Sequence, residues 1–365
     1  MVYRAIGLMS GSSLDGLDIV FTEIQENAGK WTYEILRADC YSYPMKWMKK
    51  LKEAISLTAL DYQLLHTEYG HYLGQQVNRF IGENELHYKV DLVASHGHTT
   101  FHIPSKKMTA QLGDGAAIAA TTQLPVVSDL RSMDIAFDGQ GAPIVPIGEK
   151  LLLGDFDFFL NLGGIANISI NRDEYAAFDV CAANRVLNML AADAGKEYDE
   201  GGKMAATGNI NNVLLEKLNA LQYYRQPHPK SLANDFGTDT VYPIIKKASL
   251  TTNDALHTYA EHIAMQIRKS IAGLEYQTPK TQSQKILVTG GGAFNSFLIE
   301  RIKDQLKELN IEVVIPEEKL IKYKEALIMA LIGVLRWREE TNVLSSVTGS
   351  KRNSIGGAVW MGQEE

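Results

Sequence analysis

Two cysteines in 365 residues, Cys40 and Cys181, are too few and too far apart for a disulfide framework, and no CxxC or zinc-finger spacing occurs. That usage is expected of a reducing, cytoplasmic setting. There is no strongly basic block. Lys plus Arg total 36 against 43 Asp plus Glu, so the phosphate-neutralising stripe of a typical nucleic-acid binder is missing. The longest apolar run, residues 326–335, is about half of what spans a bilayer. The opening MVYRAIGLMSGSSLDG lacks the apolar core and cleavage site of a signal peptide. No membrane partner is expected. No GxxxxGK[ST] occurs, which removes a Walker-type phosphate loop.

Apolar residues at 45% and charged residues at 22% are ordinary for a globular chain, so disorder and long coiled coil are excluded. At roughly 150 residues per domain, the length argues for two domains. Thirty glycines against ten prolines point to many tight turns rather than a Pro-rich linker. Residues 3–9 and 16–24 read as strands around a small polar turn, with a third strand at 31–40. Helical stretches follow at 45–57 and 60–81, then a short strand at 90–94, a helix at 116–122 and a strand at 125–128. Glycine and proline cluster at 138–143, the expected crossover between domains.

The second half restarts the same grammar: a strand at 156–162, a turn at Gly163-Gly164, returning strands at 168–170 and 175–178, and a helix at 183–194. Leu256, Ala260, Ile263, Ile267, Ile271 and Leu274 recur at helical spacing. A strand at 286–289 and a glycine turn follow. Leu298, Ile302, Leu306 and Leu309 then line a helix, with a strand at 312–315 and a final helix at 324–338. The expected architecture is α/β, built as two lobes around a central cleft. Residues 1–140, completed by 345–365, form the first lobe, and residues 141–344 the second.

Three glycine-bearing turns carry the chemistry. The first, Ser10–Gly16, gathers small residues, hydroxyls and the carboxylate Asp15, where backbone N–H groups can face an anion; taken by itself it reads first as an ordinary hairpin. The second is Gly163-Gly164 in NLGGIAN, ending at Asn167. The third, Gly290-Gly291-Gly292 with Asn295, is a strand-to-helix turn whose free N–H groups suit a nucleotide. It resembles a dinucleotide fingerprint, except that Asn295 replaces the third glycine. His96, His98 and His102 lie close together but lack HExxH spacing, so they read as polar site residues or a satisfied loop rather than zinc ligands. Asp179 ends a strand, where open α/β sheets place chemistry, or else caps the following helix. Arg131 is placed to clamp an anion or to form a surface ion pair. Glu325 opens the final helix, where it can simply complement the dipole.

Taken together, GLMSGSSLDGLD (7–18), SHGHTTFHIP (95–104), QLGD (111–114), DLR (129–131), GQGAP (139–143), NLGGIAN (161–167), Phe178-Asp179, Lys230-Ser231, GGGAFN (290–295), Glu325-Ala326 and VTG (347–349) resemble the anhydro-N-acetylmuramic acid kinase family. They run in the family order over nearly the whole chain. The resemblance implies a two-lobed actin-like ATPase fold, a duplicated RNase H-like unit. It implies a sugar kinase of peptidoglycan recycling that uses ATP and Mg2+. This kinase would open the anhydro bridge of 1,6-anhydro-N-acetylmuramic acid with water while phosphorylating O6. Partners would be the amino sugar, ATP and a second copy in a homodimer.

Carried over, Gly11, Ser12, Ser13, Leu14, Asp15, Gly16, Leu17 and Asp18 would hold the ATP phosphates. Gly163, Gly164, Asn167, Gly290, Gly291, Gly292 and Asn295 would complete the nucleotide site. Asp179 would be the general base, Arg131 and Glu325 would lie near the reacting groups, and Ser95, His96, Gly97 and His98 would bind substrate. No metal-ligand cluster is expected, since magnesium borrows phosphate oxygens. The chain departs from the family pattern at His98 (glutamine), Asp138 (glycine), Val180-Cys181-Ala182 (Thr-Gly-Pro), Asn188 (acidic) and Asn234-Asp235 (Arg-Glu), positions expected on the sugar side. The competing readings are a kinase of another amino sugar or uronic acid, a non-catalytic actin relative, and a nicotinamide dehydrogenase.

Overall fold

The alternating apolar residues of the first stretch form paired strands in a computed structural model, which describes residues 1–11, 14–172, 175–227, 230–233, 235–273 and 283–362. In chain order the strands are β1 (Val2–Ser10), β2 (Gly16–Asn27), β3 (Lys30–Ser42), β4 (Leu92–Ile103), β5 (Met108–Leu112), β6 (Val126–Ser128), β7 (Phe158–Leu162), β8 (Ile165–Ile170), β9 (Ala176–Ala182), β10 (Gln284–Thr289), β11 (Ile311–Val314) and β12 (Ala358–Trp360). Contacts divide the chain into two units, Met1–Gly154 with Tyr323–Glu365, and Asp155–Lys322.

In the first unit the strand order is β12-β6-β4-β1-β2-β3, with β5 hairpinned onto β4. β1, β2 and β3 are an antiparallel meander, and β4 and then β6 add in parallel beyond β1. The second unit repeats this plan in the order β11-β10-β7-β8-β9: a meander of β7, β8 and β9, then β10 and β11 in parallel beyond β7. The shared order and strand directions make this a duplicated RNase H-like α/β fold.

The units divide at 154/155 and 322/323, against the expected 140/141 and 344/345. The core of the first unit explains the difference. Ile144 and Ile147 pack in one cluster with Ile328, Met329, Leu331, Ile332 and Leu335. Beside them Lys324 and Glu149 form a buried ion pair at 2.8 Å. The glycine-rich stretch 139–143 therefore belongs within the first unit. It is tied down by Asp134, whose carboxylate accepts from the Gly141 N–H and the Thr348 hydroxyl, both at 2.7 Å.

The helix Glu318–Trp337, expected at 324–338 as the last one, is followed by a short helix, Ser345–Thr348, and begins earlier because Pro316 and the acidic Glu317-Glu318 supply a start signal upstream. In the first unit this helix lies directly on the sheet. A Cβ at Gly7 would overlap the Ala326 carbonyl, so glycine there permits the contact. The second unit is centred on the helix Thr252–Ala272, whose Leu256, Ala260, Ile263, Ile267 and Ile271 are all buried, as their spacing predicts. Leu274 lies outside the described residues.

Candidate active site

In the first unit the β1–β2 turn carries the first phosphate candidate. Leu14 adopts φ +58 and its N–H reaches the Gly11 carbonyl at 3.4 Å. Ser12 and Ser13 lie outside the described residues. Gly16 and Leu17 are buried at the start of β2, and a Cβ at Gly16 would meet the Cys40 sulfur and the Tyr41 carbonyl. Asp18 faces Cys40 across β2 and β3. Burial pushes its carboxyl up to about 6. The Cys40 thiol opposes this by hydrogen bonding, while the negative charges of Asp15 and Glu325 add to it. The thiol is in turn pushed up to about 12, by burial and by the Asp18 carboxylate. Asp18 and Glu325 therefore sense one another within this unit. Glu325 lies about two turns into its helix, so the dipole explanation does not hold for it.

β4 was expected to end near Ala94. It runs on to Ile103 because β5 satisfies its backbone. Leu8 pairs with Ser95 but Ser10 pairs with His98, so β4 carries one extra residue there, and Gly97 takes φ +69. Such a bulge re-aims the side chains around it. His98 Nδ1 lies 3.1 Å from the Ser10 hydroxyl, which accepts from Tyr43 at 2.8 Å. His96 Nε2 accepts from Arg131 Nε at 2.9 Å, and Arg131 Nη1 donates to the Gly141 carbonyl at 2.6 Å. Burial lowers the Arg131 guanidinium to about 10, against the attraction of Glu325. Arg131 is thus not in a surface ion pair. Ser95 and His96 also help line a cavity of about 300 Å3 with Gln111, Asp114, Asp129 and Trp360. Three of the sequence motifs meet there.

In the second unit Asp179 lies within β9. Ala166 pairs with Cys181 but Asn167 with Asp179, so Val180 is a bulge residue, and the bulge sets the direction of Asp179. Its Oδ2 accepts from the Leu232 N–H at 2.8 Å and the Ser231 hydroxyl at 3.3 Å. Burial nevertheless holds the carboxyl above its ordinary range, with those two donors opposing. The helix Asn184–Ala192 has Ala183 at its cap with no side-chain bond, so Asp179 does not act as a cap.

Gly291, Gly292 and Asn295 line a cavity of about 630 Å3 with Tyr198, Phe294 and Lys322, and Asn188 is also in its wall. Asn188 was expected on the sugar side. The structure puts it in one cavity wall with the glycine turn. Asn295 caps the helix Ser296–Lys307 by accepting from Leu298 N–H at 3.0 Å, which explains asparagine where a dinucleotide fingerprint has glycine. Gly290 needs φ +81 and abuts Asn161 and Leu162. Gly163 and Gly164 differ: neither has positive φ, and a Cβ on either meets nothing closer than 3.4 Å. The fold itself does not demand glycine at 163 or 164. Close approach of a ligand would.

The family model for anhydro-N-acetylmuramic acid kinase matches residues 3–362. The chain belongs to the anhydro-N-acetylmuramic acid kinase family. It is 32% identical to the anhydro-N-acetylmuramic acid kinase of Francisella tularensis subsp. novicida (strain U112), with 97% of each chain covered. It is 31% identical to that of Clostridioides difficile (strain 630), again over 97% of each. Among solved structures it is similar to the activator of the 2-hydroxyisocaproyl-CoA dehydratase from Clostridium difficile with bound ADPNP. The TM-score is 0.46 and the identity 13%, over 92% of this chain and 96% of that one. It is also similar to hexokinase from Schistosoma mansoni complexed with glucose, with TM-score 0.38 and 13% identity over 90% and 85%.

Against the anhydro-N-acetylmuramic acid kinase pattern, one departure has a local account. Asp138 stands at φ +65, a conformation that glycine adopts without strain and aspartate tolerates better than most. It is held there by Lys107 and Lys351, which pull its carboxyl down to about 2. Asn234 lies outside the described residues. The anchors Asp134, Tyr43 and Leu232 were not singled out from the sequence, because their partners Thr348, Ser10 and Asp179 are distant along the chain; Thr348 itself lies in the motif Val347-Thr348-Gly349.

Proposed function

We propose that this chain is an ATP-dependent kinase that opens 1,6-anhydro-N-acetylmuramic acid and phosphorylates O6, giving N-acetylmuramic acid 6-phosphate. The observation that carries this reading is the state of Asp179. It is a desolvated carboxylate with one oxygen held by Leu232 N–H and the Ser231 hydroxyl, in a family whose members carry this activity in their name. A carboxylate raised toward neutrality is a better match for a general base. Asp179 takes a proton from water as its oxygen bonds to the anomeric carbon. The bond from that carbon to O6 breaks, O6 takes the γ-phosphoryl group, and ADP leaves.

Phosphoryl transfer asks the protein for positioning and charge rather than covalent chemistry. Within the first unit the groups suited to this are the β1–β2 turn, Asp18, Arg131 and Glu325. Within the second they are Gly163, Gly164 and the cavity beside Gly290–Asn295, which takes the nucleotide. Magnesium, when bound with ATP, would neutralise charge on the phosphates. Among the described residues no cluster of three His, Cys, Asp or Glu could hold a metal. Asp18 fits a site that borrows its other ligands from phosphate and water. The enzyme works in the cytoplasm as a homodimer, and sedimentation of the purified chain checks the second point.

Asp179→Asn should abolish sugar phosphate formation while ATP still binds, measured by product mass and by nucleotide titration. Full turnover by this variant would remove the assignment.

A further inference from the structure

Both ring nitrogens of His96 are engaged inside the protein. Nδ1 lies 2.9 Å from the Gly97 carbonyl oxygen, which can only accept, so Nδ1 carries the proton. Nε2 therefore presents a lone pair, and it receives Arg131 Nε–H at 2.9 Å. The ring is 4% exposed. Burial, with the adjacent Arg131 charge, drops its pKa to about 3, so it remains a neutral acceptor near neutral pH. The second bond, from Arg131 Nη1 to the Gly141 carbonyl, fixes the plane of the guanidinium. Two of its five N–H groups are then used. Among the described residues no carboxylate is in direct contact with Arg131, Glu325 acting on it only through its charge, so three N–H donors are left for a ligand.

We infer that His96 is a positioning residue. It acts through Arg131, holding the guanidinium ready for an anionic oxygen of the reactants, and does not itself bind the sugar. The inference rests on the proposed role of Arg131 near the reacting groups. The anionic oxygen belongs to the transferring phosphoryl group or to the lactyl carboxylate of the muramic acid. Arginine takes either through paired N–H bonds, and a guanidinium free to rotate loses that geometry.

The test compares His96→Phe, His96→Gln and Arg131→Ala in steady-state assays with Mg-ATP and 1,6-anhydro-N-acetylmuramic acid, each checked by thermal melting. Phenylalanine fills the space without accepting a bond, so kcat/KM should fall on the order of tenfold to a hundredfold. Glutamine, whose amide oxygen can take the Arg131 N–H, should restore most of it. A rise in KM for the sugar alone assigns the carboxylate, and a loss in kcat with both KM values kept assigns the phosphoryl group. Wild-type rates in His96→Phe, or equal losses in folded Phe and Gln variants, overturn the inference. Should His96→Phe fail to fold, nitrogen-15 NMR of the unmodified enzyme decides. The His96 ring must carry its proton on Nδ1, and a proton on Nε2 overturns the inference. If Arg131→Ala is fully active, the role of Arg131 itself is wrong. If Arg131→Ala is dead and His96→Phe is normal, only the positioning inference fails.

Discussion

Asp18 keeps a charge where burial opposes it, and the cost has a definite pH signature. Its folded value of about 6 lies above the ordinary 3.8, so the folded state holds the proton more tightly than the unfolded chain. Stability therefore falls as pH rises from about 4 to about 6 and stays lower above that. Asp18→Asn removes the cost. Without nucleotide or metal it should be more stable than the parent at pH 8 by about 2 kcal/mol, and no different below pH 4. Melting curves at the two pH values check this, and an absence of gain at pH 8 contradicts it. The same variant should lose kinase activity, since the carboxylate is retained against its own stability. For Asp179, burial raises the carboxyl, and a base must be ionised to act. The acid limb of the kcat/KM profile of the unmodified enzyme should thus sit above the ordinary carboxylate range.

At this scale residue types were legible, but their partners were not. The sequence singled out Asp18, Arg131, Asp179 and Glu325. Nothing in it told that Cys40 would lie under Asp18 or that a neutral His96 would hold Arg131. Those pairings come from β2 facing β3 and from a single extra residue in β4.

Among the elements, the glycine turns divide by what requires them. Gly7 is required by the helix lying on it, so Gly7→Ala should cost about 1–3 kcal/mol or more through overpacking. Gly164 does not have a positive φ, and a Cβ there would meet only Arg185, at 3.8 Å. Gly164→Ala should leave stability unchanged or raise it slightly, by about 0.4–1 kcal/mol in a melting experiment, yet raise KM for ATP. Unchanged ATP kinetics would mean that the turn does not approach the nucleotide. The hairpins and long helices were visible in the hydrophobic spacing. β5 and the bulges at Gly97 and Val180 were not, because a bulge changes register without changing composition. The polar residues after Ala94 masked the length of β4 for a related reason: Ser95 and His96 line a pocket rather than an apolar core.

Over the whole chain, the duplication was readable as repeated grammar, and the sheet orders make it explicit. The limits of the units were not readable. They depend on Ile147 and Glu149 packing against a helix that returns from the far end of the chain. Family membership rests on the match to residues 3–362, whereas the reaction rests on the proposed roles of Asp179 and the glycine turns. ADP release with Mg-ATP and 1,6-anhydro-N-acetylmuramic acid in heavy-oxygen water, with the product mass recorded, tests that reaction most directly. The account predicts ADP only when the anhydro sugar is present, and a product heavier by one phosphoryl group plus one labelled water. ADP with an ordinary hexosamine and no incorporated water, or no sugar-dependent ADP at all, would contradict it.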